Sequence, residues 1–346
     1  MPDLHARAGS LVVALTVGAS CGRIGFDRTS DGGGGDGSNR AGGPRSCAAL
    51  PASCGPSGSE SCCASPIVPA VTFDRSFDLG SDAAFDDMTH PATVAAFRLD
   101  RFEITVGRFR AFVLAGAGTQ LSPPAVGDGA HAQIANSGWQ SRWDANLAAT
   151  TAKLETALSC NGNATWSATP GSNDTLPINC IDWYEAEAFC AWDGGFLPTE
   201  AEWNAAAAGG SDQRPFPWSA PATSLTVDCA HANYEPMQNM PCSGSGSGVV
   251  SALPVGSTSP AGDGAFGQAD LAGNVWELVL DQAVTPYELP CVDCAVLAGS
   301  DGTPRELRGG GAHDSAASLR SGVRTGISAS DRAAHVNQGA RCARAM

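Results

Sequence analysis

The chain has 346 residues and a formal net charge of -15, and it contains 42 glycines and 22 prolines. This length allows one large domain with an additional tail, and the glycine and proline content predicts long loops and linkers. The negative charge argues against nucleic acid and anionic lipid headgroups as partners, because their phosphates need a basic surface.

The first residues have the pattern of an export signal. An apolar run at residues 11–17 is too short to cross a bilayer. Small residues precede Cys21 and resemble a bacterial lipoprotein processing site, at which Cys21 would carry the lipid. We therefore expect a signal at residues 1–21 and an exported lipoprotein, anchored in the cell envelope and either periplasmic or surface-exposed. Ordinary secretion, with Cys21 removed, is the alternative.

Two short segments follow the signal. Residues 22–46 are rich in Gly and Asp and have too little apolar surface to fold, so we predict a flexible linker. Residues 47–67 form a cysteine-rich segment, for which we predict a small structure stapled by disulfides rather than a metal site. The pairing within it stays open among Cys47, Cys54, Cys62 and Cys63.

Thirteen cysteines in an exported chain indicate disulfides rather than cytosolic thiols. Three pairs farther along each flank or occupy a polar loop and are predicted to close it, namely Cys160 with Cys180, Cys229 with Cys242, and Cys291 with Cys294. The last spacing also fits a redox motif. A structural bridge is favoured there, because Pro290 and the surrounding loop signals do not provide the helix that a redox motif opens.

Local patterns predict a few regular elements. Residues 97–104 alternate apolar and polar side chains as a strand would, and Thr105 can cap the helix that follows. Its inward stripe is predicted to contain Val106, Phe109, Phe112 and Val113.

Two more helices are predicted from capping boxes. Asp182 with Glu185 opens one helix, and Thr199 with Glu202 opens the next, which runs through Ala208. Residues 211–270 and 284–305 are rich in Gly, Pro and Ser, so long stapled loops are expected there. These patterns alone indicate an irregular α+β domain.

Several motifs occur in a fixed order along the chain, at residues 97–113, 177–186, 197–203, 271–277, 307–310 and 337–342. This order resembles the sulfatase-modifying factor family, whose founding members are the formylglycine-generating enzymes. The resemblance implies a variant of the C-type lectin fold, here placed at residues 68–346, with a small and mainly antiparallel sheet. It also implies a disulfide between Cys190 and Cys342.

The resemblance is incomplete at the catalytic positions. The family enzymes bind copper through two cysteines shortly after an Arg-Gly-Gly-Ser motif, because soft thiolates stabilise Cu(I). In this chain the serine position is Gly311, and the two thiolate positions are Asp314 and Leu319. We therefore expect neither copper binding nor copper-dependent formylglycine formation.

Four residues are candidates for a remaining pocket. Trp276 and Asn337 match positions that line the active-site region of the family, and both also fit a structural role. His313 and Asp314 carry groups that suit a metal, but adjacent residues rarely face one ion and no third ligand is identifiable. We therefore expect His313 and Asp314 to be solvated loop residues.

Calcium is the metal that the resemblance favours, as a structural ion. Asp270 and Glu277 supply hard oxygens, and the carbonyls of Gly273 and Val275 lie between them in the sequence. The alternative is a turn that only packs Trp276 into the core. A second family site would use Asn233 and the Tyr234 carbonyl, although its usual carboxylate is replaced near Ser247.

These observations favour a binding domain over a catalyst, because a lectin-like fold can present variable loops to a protein, peptide or glycan. The alternative is an oxidoreductase of the sulfatase-maturation type that acts through an unrecognised site. A structural protein of the envelope is a third possibility. The sequence does not identify the ligand or the oligomeric state.

Overall fold

Helix caps set the helical part of the fold. The computed structural model describes residues 43–80, 82–238, 240–243, 251–298, 302–332 and 338–346. Its α-helices are α1 (Val106–Leu114), α2 (Thr151–Ala157), α3 (Trp183–Trp192) and α4 (Glu200–Ala207). The capping boxes predicted for α3 and α4 are confirmed, since in each the N-cap side chain and the third helical residue bond reciprocally. The pattern did not predict α2, which Thr150 caps.

The strands are short and form three small sheets. The first contains β1 (Ile67–Val68), β4 (Phe97–Leu99) and β10 (Ala343–Arg344), in the order β1-β4-β10. The second contains β2 (Val71–Asp74), β3 (Pro91–Val94) and β6 (Cys291–Val292), in the order β2-β3-β6. Strand β4 is shorter than the alternation predicts, because the chain bends after Leu99, although Phe102 and Ile104 remain buried.

The third sheet carries the motifs near the C-terminus. It contains β5 (Trp276–Gln282), β7 (Arg305–Arg308), β8 (Arg324–Ile327) and β9 (Gln338–Gly339), in the order β8-β7-β5-β9. All residues of β5 are buried, so the strand lacks the polar alternation that would have predicted it. The pairing of β5 with β9 is parallel and places residue 276 beside residue 338.

The main core lies between the helices and the third sheet. All four residues predicted for the inward stripe of α1 are buried. Rings from α1 and α3 meet there, with Phe109 and Phe189 stacked at 5.5 Å between centroids. This α+β arrangement, with small sheets and few helices, agrees with the fold class expected from the sequence. Within the described residues, no helix is long and apolar enough to cross a membrane.

Disulfides join all twelve cysteines of the described part of the chain. The pairs are Cys47–Cys63, Cys54–Cys62, Cys160–Cys180, Cys190–Cys342, Cys229–Cys242 and Cys291–Cys294. The first two resolve the pairing that the sequence left open. The Cys190–Cys342 bond spans 152 residues, so it restricts the unfolded chain most strongly.

The cysteine-rich segment packs on the domain through a buried arginine. The guanidinium of Arg108 donates to the Cys62 carbonyl at 3.2 Å and to the Ser46 hydroxyl at 3.0 Å. The same group pairs with Asp100 at 2.9 Å and Asp193 at 2.7 Å, and all three charged side chains are fully buried. Residues 42–346 accordingly form one compact unit.

Candidate functional site

The loop at residues 271–277 leads into β5 and packs closely against neighbouring backbone. Gly273 has a φ of 89°, and a Cβ at this position would lie 2.5 Å from the carbonyl oxygen of Asn233. The following Asn274 amide donates to that same carbonyl at 2.8 Å. Glycine is therefore required here both for its backbone conformation and for space.

A buried arginine fixes the end of this loop. The guanidinium of Arg341 donates from Nε and one terminal nitrogen to the two carboxylate oxygens of Glu277, at 2.7 and 2.6 Å. Its remaining donors reach the carbonyls of Asp100, Arg101 and Ala269 at 2.9–3.1 Å. All five N–H groups of Arg341 therefore have acceptors. Trp203 also donates its indole N–H to Glu277, at 2.9 Å.

A second buried carboxyl group, that of Glu103, forms hydrogen bonds with the loop. Glu103 accepts from the Asn274 side chain at 2.7 Å and from the Val275 amide at 3.2 Å. Burial, together with the charges of Asp270 and Glu277, raises the pKa of Glu103 well above its usual range. Burial also raises the pKa of Asp270 to about 6, against the opposing hydrogen bond from the Gly256 amide. The cluster therefore holds more carboxyl groups than Arg341 can neutralise.

The Trp276 side chain lies beside Asp314, one of the two positions where the resemblance implies a copper thiolate. Its indole N–H donates to Asp314 Oδ2 at 2.7 Å, and the Gly311 amide donates to the same oxygen at 3.0 Å. Asp314 was expected to be a solvated loop residue, but its carboxylate instead joins Trp276 to the Gly311 turn. The neighbouring His313 side chain lies 3.4 Å from Asn163.

The second thiolate position belongs to an apolar cluster. Leu319 is 1% exposed and packs with rings and small side chains, namely Phe216, Trp218, Ala232, Tyr234 and Ala272. A buried leucine offers no donor atom to a metal. Asn337, the remaining predicted pocket residue, lies outside the described residues, as does Cys21.

The residues predicted to bind calcium at this loop do not all fit an ion. Both oxygens of Glu277 are occupied by Arg341, and Asp270 accepts from the Gly256 amide at 2.5 Å. In the described part of the chain, no group of three or more His, Cys, Asp or Glu side chains could hold a metal. Glu277 therefore already has a guanidinium partner, and calcium binding by Asp270, Gly273, Val275 and Glu277 stays a prediction.

The second predicted calcium site has one feature of an oxygen ligand. Asn233 is 3% exposed, and its amide nitrogen donates to the Ser251 carbonyl and to Asn274. Its side-chain oxygen is buried and accepts no hydrogen bond within the described residues. The carbonyl of the adjacent Tyr234 accepts from the Cys242 amide at 2.9 Å. The expected carboxylate region near Ser247 lies outside the described residues.

Sequence reasoning missed the two residues that organise the site, Arg341 and Glu103. Both belong to motifs that the sequence analysis quoted, but their partners are more than 60 residues away along the chain. The available signal was a charged residue in each motif without an oppositely charged neighbour three or four residues away.

Asp270→Asn tests the electrostatics of this cluster. A carboxyl group with a folded pKa near 6 and an unfolded pKa of 3.8 binds more protons when folded, so its contribution to stability falls as pH rises between these values. Asparagine tolerates the φ of 56° and keeps an oxygen for the Gly256 amide. We expect the variant to exceed the wild type at pH 7 by on the order of 2–3 kcal/mol in the free energy of unfolding.

Urea unfolding between pH 4 and pH 8 measures this effect. The advantage of the variant should shrink toward pH 4, while the exposed Asp86→Asn should match the wild type throughout. A loss of stability at pH 7 in Asp270→Asn would contradict this account and would indicate that a cation needs the Asp270 charge.

Comparison with known proteins shows the family to which the chain is related. Residues 70–346 match the model of the sulfatase-modifying factor enzyme 1-like domain. A formylglycine-generating enzyme from Thermomonospora curvata is 28% identical over 269 residues, which cover 72% of this chain and 82% of that protein. The inactive C-alpha-formylglycine-generating enzyme 2 from Bos taurus is 30% identical over 168 residues, which cover 49% of this chain and 50% of that protein.

Two solved structures have a similar fold. PvdO from Pseudomonas aeruginosa superposes with a TM-score of 0.52 and 22% identity, covering 81% of this chain and 93% of that chain. Variable protein 1 from Treponema denticola superposes with a TM-score of 0.51 and 20% identity, covering 82% and 95%. These matches support the expected lectin-like fold of the formylglycine-generating type. The chain therefore belongs to the sulfatase-modifying factor enzyme 1-like domain family.

Proposed function

We propose that this protein is a binding member of the family and does not carry out copper-dependent thiol oxidation. The proposal rests on the contacts of Asp314 and Leu319, which stand at the two positions where the resemblance implies copper-binding thiolates. Asp314 joins Trp276 to the Gly311 turn, and Leu319 is buried among aromatic side chains. Cu(I) requires soft ligands, which a carboxylate and an aliphatic side chain do not supply.

The sulfur chemistry of the domain supports the same proposal. All twelve cysteines of the described residues are in disulfides, so this part of the chain has no thiolate to offer in place of the missing pair. The name of the Bos taurus relative describes an inactive member. Ligand binding fits a domain with long loops held by disulfides, and a protein, peptide or glycan is the class of ligand we propose.

Copper titration and a peptide assay test this proposal together. The protein is titrated with Cu(I) against a competing chelator and incubated with a peptide that contains Cys-Xaa-Pro-Xaa-Arg, with the Thermomonospora curvata enzyme as a positive control. We expect no stoichiometric copper and no loss of the peptide thiol. Stoichiometric copper with thiol oxidation would overturn the proposal in favour of an oxidoreductase.

We also propose a structural calcium ion at Asn233, with the Tyr234 carbonyl as a second oxygen. The support is the buried Asn233 oxygen that lacks a hydrogen-bond partner, since burying such an acceptor without a partner is costly. Calcium accepts amide, carbonyl and water oxygens at such sites. Asp270 and Glu277 are not part of this proposed site.

Chelation tests the calcium proposal. A ligand at a hundred times its Kd stabilises the folded state by about 2.7 kcal/mol, so EGTA should lower the Tm by roughly 5–10 °C, and calcium should restore it. Asn233→Ala should lose this response, whereas the exposed Asn146→Ala should keep it. A wild-type Tm that is the same in EGTA and in calcium would refute the proposed site.

Export and lipid anchoring at Cys21 complete the proposal. They rest on the sequence pattern before Cys21 and on the disulfide content, which suits an oxidising compartment. In a bacterial host, we expect the full chain in the membrane fraction with an acylated Cys21 by mass spectrometry. Cys21→Ser should release the protein. An unmodified wild-type protein in the soluble fraction would contradict lipid anchoring.

A further inference from the structure

A cavity of about 270 Å³ lies away from the candidate site. Its lining includes Phe97 at the start of β4 and Phe196 in the segment before α4. It also includes His131 from a loop and Asp293 from the Cys291–Cys294 loop. It does not include Trp276, Asp314 or Leu319. Its volume is slightly below the range of about 300–1,000 Å³ that is common for small-molecule pockets, so a small ligand or one side chain would fill it.

One pair of polar groups in the cavity is satisfied within the protein. His131 Nε2 lies 2.9 Å from Glu202 Oε1, and the Gln133 amide donates to His131 Nδ1 at 3.2 Å. The other Glu202 oxygen accepts from the Thr199 amide at 2.8 Å. Burial opposes protonation of the imidazole, but the Glu202 hydrogen bond and nearby carboxylates, including Asp293, raise the pKa of His131. Both oxygens of Glu202 thus have hydrogen-bond partners within the protein.

Asp293 is the second carboxylate in the lining of the cavity. One of its oxygens accepts from the Ala95 amide at 2.6 Å, and its own amide donates to the Thr93 carbonyl at 2.9 Å. The disulfide on either side of the loop further restrains it. Among the described residues, no side chain forms an ion pair or hydrogen bond with the second oxygen, and neither lysine nor arginine lines the cavity.

The cavity walls favour an organic cation over a metal ion. Phe97 and Phe196 are among the lining residues, and aromatic faces attract cations. A divalent metal would require several hard ligands, and no suitable group of three occurs in the described part of the chain. An anion would be repelled by the Asp293 carboxylate.

The single free oxygen also distinguishes between two kinds of organic cation. A guanidinium gains most from a carboxylate when it bonds to both oxygens in parallel. The Ala95 amide already uses one lone pair of one Asp293 oxygen, so a bidentate guanidinium would have to share that oxygen with the amide. An ammonium group is a compact charge that needs only one oxygen.

We propose that this cavity binds a primary ammonium group, with Asp293 as its counter-charge and the Phe97 and Phe196 rings as its walls. The ammonium group can belong to a free alkylamine or to a lysine side chain. This site is additional to the proposed function and does not depend on the absence of copper chemistry.

Isothermal titration and amide chemical shifts of the full chain test the site. Butylamine represents a free amine, N-acetyl-lysine methylamide a lysine side chain, butylguanidine the competing cation, and 1-butanol the neutral analogue. We expect at least one ammonium probe to bind with a Kd of about 1 mM or lower and to shift the Ala95, Ala96 and Ala132 amides. Butylguanidine should bind more weakly, and 1-butanol should not bind measurably.

Asp293→Asn provides the matched variant. Asparagine keeps an oxygen for the Ala95 amide and tolerates the φ of 43° at this position, so the fold should be retained and the Tm checks this. Ammonium binding should weaken at least fivefold, whereas the exposed Asp86→Asn should bind as the wild type does.

Three results would overturn the site. The first is no binding of either ammonium probe to the wild type, and the second is an affinity for 1-butanol equal to that for butylamine. The third is an equal loss of ammonium affinity in Asp293→Asn and Asp86→Asn. If only butylamine binds, the ligand is a free amine, and if the lysine derivative binds, the cavity accepts a side chain; either result supports the ammonium class.

Discussion

The buried guanidinium of Arg341 holds together the parts of the chain on which the candidate site depends. It joins the C-terminal segment to Glu277 at the start of β5, to the Ala269 carbonyl before the loop, and to the carbonyls after β4. Burying a charge is costly unless all its donors find acceptors, and here all five do. The positions of the loop, the third sheet and the C-terminus are therefore linked by one side chain.

Trp276, Asp314 and Leu319 each have structural contacts in this protein. The indole N–H of Trp276 bonds to Asp314, at one of the positions where the resemblance implies a thiolate. Leu319 fills the other position with apolar packing. The fold alone therefore does not establish the family's redox activity in this protein, since fold and activity depend on different side chains.

Local sequence patterns predicted the local features of this fold, whereas the distant Cys190–Cys342 pairing came from the family resemblance. The caps of α3 and α4 were predictable because both partners lie three residues apart. The fully buried β5 has no alternation to indicate a strand, and the four N-terminal cysteines allow three connectivities. The contacts of Arg341 join residues 100, 269, 277 and 341, which only the folded chain brings together. Resemblance supplied the family, but it did not indicate that Arg341 pairs with Glu277.

The unfolding free energy of Arg341→Met tests most directly whether this ion pair is structural. Removing one partner of a buried pair leaves Glu277 unpaired, so we predict a loss of about 3–5 kcal/mol. Added calcium should not restore it, and Arg98→Met, which removes an exposed arginine from β4, should cost little. A loss below about 1 kcal/mol, or full recovery in calcium, would contradict the account and would identify Glu277 as a metal ligand.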